Sequence, residues 1–402
     1  MQTKPSGLRI VLMLCCAEVL AMTGFATYPA LLPTLRQAWG MTGAQAGLVG
    51  GAFFFGYMVA VPLLSGLTDR IDAKRVFAGS CLLSACGALG FGGLAGGVWS
   101  GVFWQAISGA GLAGTYMPGL KALTDRVHGP KQSRYVSFYT ATFGVGASVS
   151  LLLAGWLQAA LGWSMTFQVL AIFPLLAAPW VLYGLAAKPP PASGAPWLPR
   201  FGGVWADRRS RLYIVGYAVH CWELLGLRSW QVAFFTFAFA MGASQAWLSP
   251  TEAAAALNLL GLPASILGNE MAQKWGRRRW IATMMLAAGA LSWLAGLSAA
   301  LPWFLTLAAT AVYNVTVMAD SASLTAGLVA NSDPARRGAA MALYSLGGFG
   351  AGFVAPVVFG SVLDWAGGGQ SVWAWALAMG VLGAGGLVMG ARLRLKREEA
   401  EP

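Results

Sequence analysis

Twelve apolar runs, most of them twenty residues or longer, alternate with short polar segments along the chain, and few other features leave so few architectures open. A run of about twenty apolar residues crosses a hydrocarbon core of about 30 Å as one helix, and inside lipid each backbone polar group has to be paired within its own segment. The runs lie near 8–32, 43–65, 76–97, 99–124, 135–160 and 163–187, then near 212–240, 247–272, 280–300, 302–330, 339–363 and 371–391. Composition agrees: 57% of the residues are hydrophobic and 10% charged, against roughly a quarter charged in soluble chains. The expectation is an all-α membrane protein of twelve transmembrane helices. Its 53 glycines suit close helix approach in lipid.

The net charge of +12 is explained by topology, which removes nucleic acid from the expected partners. With both termini cytoplasmic, all but Arg36, Lys121 and Arg228 of the 26 Lys and Arg residues fall in cytoplasmic segments. That asymmetry fixes the orientation by the positive-inside rule. The N-terminal run follows Lys4 and Arg9 and stays apolar to Leu32, too long for a cleaved signal segment, so it is expected to be the first span. Cys15, Cys16, Cys81, Cys86 and Cys221 all fall in spans and are expected to stay reduced.

The halves repeat. The loop Ser65-Gly66-Leu67-Thr68-Asp69-Arg70-Ile71-Asp72-Ala73-Lys74-Arg75 returns as Asn269-Glu270-Met271-Ala272-Gln273-Lys274-Trp275-Gly276-Arg277-Arg278-Arg279, an offset of 204. At 205, Cys16 meets Cys221, Glu18 meets Glu223, Tyr139 meets Tyr344, Gly155 meets Gly360 and Gly162 meets Gly367. Two pseudo-symmetric six-helix bundles follow, over 1–187 and 212–402, joined by a cytoplasmic Pro-rich linker over 188–211.

With this repeat and these loops the chain resembles the major facilitator superfamily. The family's loop signature reads roughly G-x-L-A-D-R-x-G-R-R; Leu67, Thr68, Asp69 and Arg70 sit at its third to sixth positions, while Ser65 and Asp72 replace its glycines. The second copy keeps Gly276, Arg277 and Arg278 but has Gln273 where the acid belongs. Gln105-Ala106-Ile107-Ser108-Gly109-Ala110-Gly111 is similar to the family's R-x-x-Q-G-x-G, with Gln105 in place of Arg, and the fifth span lacks the Gly-Pro pair of an antiporter signature. The resemblance implies a secondary transporter working by alternating access. It further implies a conformational latch made by Asp69, Arg70, Arg75, Lys274, Arg277 and Arg278, and it sets Glu18 and Glu223 across a central cavity.

An ionised side chain at mid-membrane costs about 2.5–3.5 kcal/mol on insertion scales, so each needs a partner, a cavity or a proton. The inventory is Glu18, His220, Glu223, Arg228 and Asp320, with Lys121 near the inner end of span 4. A buried carboxylate resists charge and is suited to take up and release protons; Glu18 and Glu223 are the first candidates for coupling, or else pin helices by hydrogen bonds. His220, three residues before Glu223, shares its helical face and extends the coupling set, as does Asp320. Arg228 lies about 7.5 Å beyond Glu223 along the helix. Its planar fork suits an oxyanion, and a salt bridge to Glu223 or Asp320 is the competing reading. Lys121 offers a second anion contact or a local pair with Asp125. Trp222 and Trp230, with Tyr28 and Tyr116, form an aromatic wall or plain core. Ser249-Pro250-Thr251-Glu252 reads as a capping box, as do Thr42 and Gln45.

No phosphate loop, metal-ligand cluster or nucleophile elbow occurs in the sequence, so no enzyme, metal or cofactor is expected. The expected activity is proton-coupled uptake of a small organic or inorganic anion by a monomer in the inner membrane. The substrate set is Arg228, Glu223, Glu18, Asp320, Trp222, Tyr116 and Lys121. Efflux of an amphipathic or cationic compound and a transporter-like ligand sensor are the alternatives.

Overall fold

The computed structural model describes residues 7–129, 131–188, 190, 201–242, 246–333 and 336–395. Residues 189 and 191–200 of the expected linker, which include Arg200, lie outside them, as do Lys4, Lys396 and Arg397 of the charge pattern. Sixteen α-helices follow in order among the described residues. They are α1 (Gly7–Ala21), α2 (Thr27–Ala38), α3 (Gly43–Leu67), α4 (Ala73–Leu94), α5 (Val98–Ala113), α6 (Tyr116–Arg126), α7 (Gln132–Leu170) and α8 (Ile172–Gly184). After these come α9 (Gly202–Ala206), α10 (Arg208–Met241), α11 (Pro250–Trp275), α12 (Arg277–Leu297), α13 (Trp303–Met318), α14 (Ser321–Asn331), α15 (Arg337–Trp365) and α16 (Val372–Leu395). Helix α10 begins at Arg208, inside the stretch expected to be linker, because the Asp207 side chain caps it, accepting from the amides of Arg209 and Ser210. The Ser210 hydroxyl and amide, with the Arg209 amide, hold the Asp207 carboxyl below the usual range.

Nine helical stretches among the described residues are long and apolar enough to cross a membrane. One of them, Arg134–Gly184, has 51 residues, about twice what one crossing needs. Inside it Gly162 takes φ 77° and ψ 170°, a left-handed turn open to glycine. Its repeat mate Gly367, between α15 and α16, also has positive φ, at 98°.

The fourth and tenth spans, expected as single helices, are each broken instead, and at the same repeat position: α5 stops before Gly114-Thr115 and α13 before Ala319-Asp320. The causes differ. Pro118 has no N–H to give the carbonyl of Gly114 four residues back. In the second copy the Ala319 carbonyl accepts a hydrogen bond from the Trp280 indole at 2.9 Å.

The chain forms two compact units, Met1–Leu31 with Ala52–Leu198, and Leu32–Gly51 with Pro199–Pro402. The first half of α3 belongs to the second unit because Asp364 of α15 accepts from the amides of Gly43 and Ala44, at 2.6 and 2.8 Å. Arg36 lies 3.8 Å from the same carboxylate.

The signature loop is anchored by a residue that breaks the family pattern. Asp72, in place of a signature glycine, caps α4 through the Lys74 amide and takes the Arg126 Nη2 at 2.7 Å on both oxygens. It also accepts from the Lys188 amide at 2.6 Å. Burial alone raises a carboxyl; here the Arg126 bond and the two backbone amides outweigh it and hold Asp72 below the usual range. Lys74 closes the end of α8, donating to the carbonyls of Leu182 and Leu185 at 2.9 and 2.7 Å.

Candidate functional site

Each unit carries a buried polar centre at its helix break, and the two are built differently. In the first unit Glu18 of α1 is fully buried. Its carboxylate accepts from the Thr115 hydroxyl at 3.4 Å, at the break, and from the Tyr139 hydroxyl of α7 at 3.1 Å. The Tyr139 oxygen is also 3.1 Å from the Tyr116 carbonyl, and the Tyr116 ring stacks on Tyr139. Tyr139 has one proton to give, so the nest suits both states of Glu18: ionised, it accepts from Tyr139; protonated, it donates to Tyr139, whose own proton turns to the Tyr116 carbonyl. No Lys, Arg or His lies within 4 Å of Glu18 among the described residues. Tyr139 itself belongs to an apolar cluster that includes Leu14, Phe77 and Cys81.

In the second unit the residue at the break is itself an acid. Asp320 stands at the position of Thr115, and its Oδ1 lies 2.8 Å from His220 Nδ1, both side chains being at most 4% exposed. The contact is close but not aligned as a hydrogen bond. His220 stacks on Tyr217, which stacks on Tyr344 at 3.7 Å between centroids. Tyr344, the mate of Tyr139, bonds Thr325 at 2.8 Å rather than the glutamate. Glu223 is left beside the Tyr313 hydroxyl and against Gly386, where a Cβ would come within 3.3 Å of its Oε2. Glu223 Oε1, Tyr313 OH, Arg228 Nε and Gln231 Nε2 are buried without a well-formed hydrogen bond. The buried polar atoms left so among the described residues all fall in the second unit. An unsatisfied buried polar group costs about 1–3 kcal/mol, and among the described residues that cost falls in the second unit, with His220, Glu223, Arg228, Tyr313 and Asp320 carrying part of it.

The remaining sequence candidates distribute as follows. Arg228 places Nη2 3.9 Å from the Met318 sulfur, and no carboxylate lies within 4 Å of it among the described residues; neither Glu223 nor Asp320 takes it. Lys121 is 3.3 Å from Asp125. Trp222 donates to the Val381 carbonyl at 3.4 Å and lines an apolar groove with Ala218 and Gly347, apart from the polar centre. Trp230 is core, bonded to the Pro356 carbonyl, and Tyr28 packs edge-on against Phe91. Of the loop residues, Asp69, Arg70, Arg75 and Lys274 are exposed; Arg278 donates to the Leu393 carbonyl at 3.1 Å, and the Arg277 Nε is buried without a hydrogen bond.

The His220–Asp320 pair was within reach of the sequence only as an inventory, since helical spacing favours Glu223 as the partner of His220. The missing signal was the repeat itself: adding 205 to Thr115 lands on Asp320, an acid in place of a hydroxyl at a helix break.

Residues 14–253 match the family model described as Major Facilitator Superfamily. Among curated proteins, the uncharacterized MFS-type transporter YcaD of Salmonella dublin is 27% identical over 172 residues, 42% of this chain and 45% of that protein. The gentisate transporter of Corynebacterium glutamicum is 25% identical over 37% of this chain and 34% of its own. "Probable anion transporter 3, chloroplastic" of Oryza sativa subsp. japonica is 30% identical over 45% of this chain and 33% of its own. The chain thus spans less than half the length of each of these relatives. Among solved structures, a bacterial homolog to the human lysosomal transporter Spinster superposes with TM-score 0.77 at 16% identity, covering 97% of this chain and 96% of that one. The POT family transporter PepTSo gives 0.77 at 14% identity, covering 97% and 98%. These structures share the all-α fold.

Proposed function

The chain belongs to the Major Facilitator Superfamily, a family of multi-pass membrane transporters of small molecules, and from that premise we propose that it takes up a small anion coupled to protons. The observation that carries the reading is Arg228: a guanidinium in mid-span with no carboxylate within 4 Å among the described residues. Such a cation is kept in a membrane helix for a charged partner, and its two-pronged donor edge suits a carboxylate or phosphate. The names of two relatives, a gentisate transporter and an anion transporter, support an anionic cargo.

Coupling rests on the second unit. The His220–Asp320 contact has a proton site at each end, and Glu223 next to Tyr313 is open to another. Glu18, already served by two hydroxyls, is the secondary site. The protein works as a monomer in the inner membrane with both termini cytoplasmic. It makes twelve passes, counting Arg134–Gly184 as two and each broken pair as one. The basic loop residues Arg70, Arg75, Lys274, Arg277 and Arg278, with Asp69, form its conformational latch.

The test is ligand binding followed by thermal shift in detergent, with gentisate, other carboxylates and inorganic phosphate as probes, since a binder of the native state raises its stability. Arg228→Ala should weaken the anion that stabilises the wild type by about tenfold or more, the size of a lost charge-assisted hydrogen bond. Undiminished affinity in that variant removes Arg228 as the anchor. Stabilisation by organic cations alone favours the export reading.

A further inference from the structure

We propose that the groove between α1 and α8 is a binding site for an anionic phospholipid, with the phosphate on Arg9 and Tyr183 and an acyl chain along Leu12, Cys16 and Trp180. The groove encloses about 810 Å³ on the first unit. Arg9, near the start of α1, and Tyr183, near the end of α8, stand at the same end of it. Tyr183 is 83% exposed, which leaves its hydroxyl free to reach a headgroup. From Arg9 to Cys16 the wall runs about 10 Å along the helix, and Leu12 and Trp180 remain 55% and 44% exposed along it. Met13 closes the floor against Gly184, where a Cβ would come within 2.6 Å of the Met13 sulfur.

The internal repeat supplies the control. Adding 205 carries Arg9 to Ile214, Trp180 to Gly385 and Tyr183 to Val388. A groove exists there too, about 520 Å³ between α10, α15 and α16, lined by Ile214, Ala218, Trp222 and Gly385 among others. The cleft is therefore a property of the repeat, whereas the cation and the phenol at its mouth belong to the first unit alone. A soluble anion has no use for an apolar wall, and a neutral lipid has no use for the guanidinium. An amphiphile with a phosphate at one end matches both, with Arg supplying the two-pronged contact and the aromatic rings the headgroup-level anchor. The site is separate from the polar centres and does not rest on the proposed cargo.

The experiment uses the full-length protein in mixed micelles with dioleoyl phosphatidylglycerol or dioleoyl phosphatidylcholine. Retained lipid is counted by native mass spectrometry and stability followed by thermal shift. The wild type should keep phosphatidylglycerol over phosphatidylcholine by about fivefold, the worth of one basic residue at an anionic surface. Arg9→Gln should lose that preference and Arg9→Lys keep part of it, while Arg394→Gln, an exposed cation of the second unit, should leave it intact. Equal retention of the two lipids by the wild type overturns the proposal and does not require any variant to fold. So does an equal loss in Arg394→Gln, which means an unspecific basic surface, or competition by millimolar inorganic phosphate without lipid, which means a soluble-anion site.

Discussion

Replacing Asp72 by Asn probes a buried ion pair of the first unit while sparing the shape of the loop. Both side chains of the Asp72–Arg126 pair are 5% exposed. Asn still accepts the Lys74 amide as a helix cap, but it removes the charge and sets an NH2 against either Arg126 or the Lys188 amide. Arg126 keeps its bonds to the Ala186 and Ala122 carbonyls and loses its counter-ion. Breaking one side of a buried pair costs about 3–5 kcal/mol. For a cooperative unit of about 150–250 residues each kcal/mol moves the melting temperature by about 2–4 °C, so a drop of about 6–20 °C is expected in detergent. Arg126→Met added to Asp72→Asn should recover part of the loss, because a neutral pair leaves no stranded charge. The pH dependence has a definite sign. A carboxyl held below its ordinary value stabilises fully above the unfolded value of about 3.9 and loses that contribution as pH falls through the native one. The gap between wild type and Asp72→Asn should therefore be constant above about pH 5 and narrow below about pH 4. A melting temperature within about a degree of wild type at neutral pH would refute the ion-pair reasoning outright.

Two further expectations separate packing from polar chemistry. At Gly109, in the stretch similar to the family's fourth-span pattern, a Cβ would stand 1.8 Å from the Phe53 carbonyl oxygen; Gly109→Ala should destabilise by about 1–3 kcal/mol. Gly79→Ala, with nothing within 4 Å, should be neutral or stabilising in the same thermal assay, and equal behaviour of the two would show that the helix approach is not tight. Tyr139→Phe should cost more stability than Tyr344→Phe, because it strips a donor from a buried carboxylate, about 1.5–3 kcal/mol, whereas Tyr344 gives up a neutral bond to Thr325, about 1 kcal/mol.

What could be read from the sequence was local or repeated. Both capping boxes are present: the Thr42 amide meets Gln45 at 3.0 Å and the Ser249 amide meets Glu252 at 2.8 Å, contacts fixed within four residues. Gly162 and Gly367 were paired by offset and share a left-handed backbone. The broken tenth span was not legible, because its cause lies in Trp280, 39 residues before the carbonyl it holds. Asp72 read as a lapse from a family pattern, and its partner Arg126 is 54 residues away. For His220 and Arg228, spacing along one helix offers only Glu223 as a neighbour. The packing of α10 against the break at Asp320 supplied one partner and withheld the other.

The central claim, proton-coupled anion uptake through the second unit, is tested most directly in proteoliposomes carrying a pH dye and an imposed inward proton gradient. The wild type should accumulate the anion identified by thermal shift above its external concentration, with matching acidification of the lumen. Asp320→Asn should still equilibrate the anion down its own gradient but neither accumulate it nor carry protons. Anion entry without acidification in the wild type, or undiminished uphill accumulation by Asp320→Asn, contradicts the account.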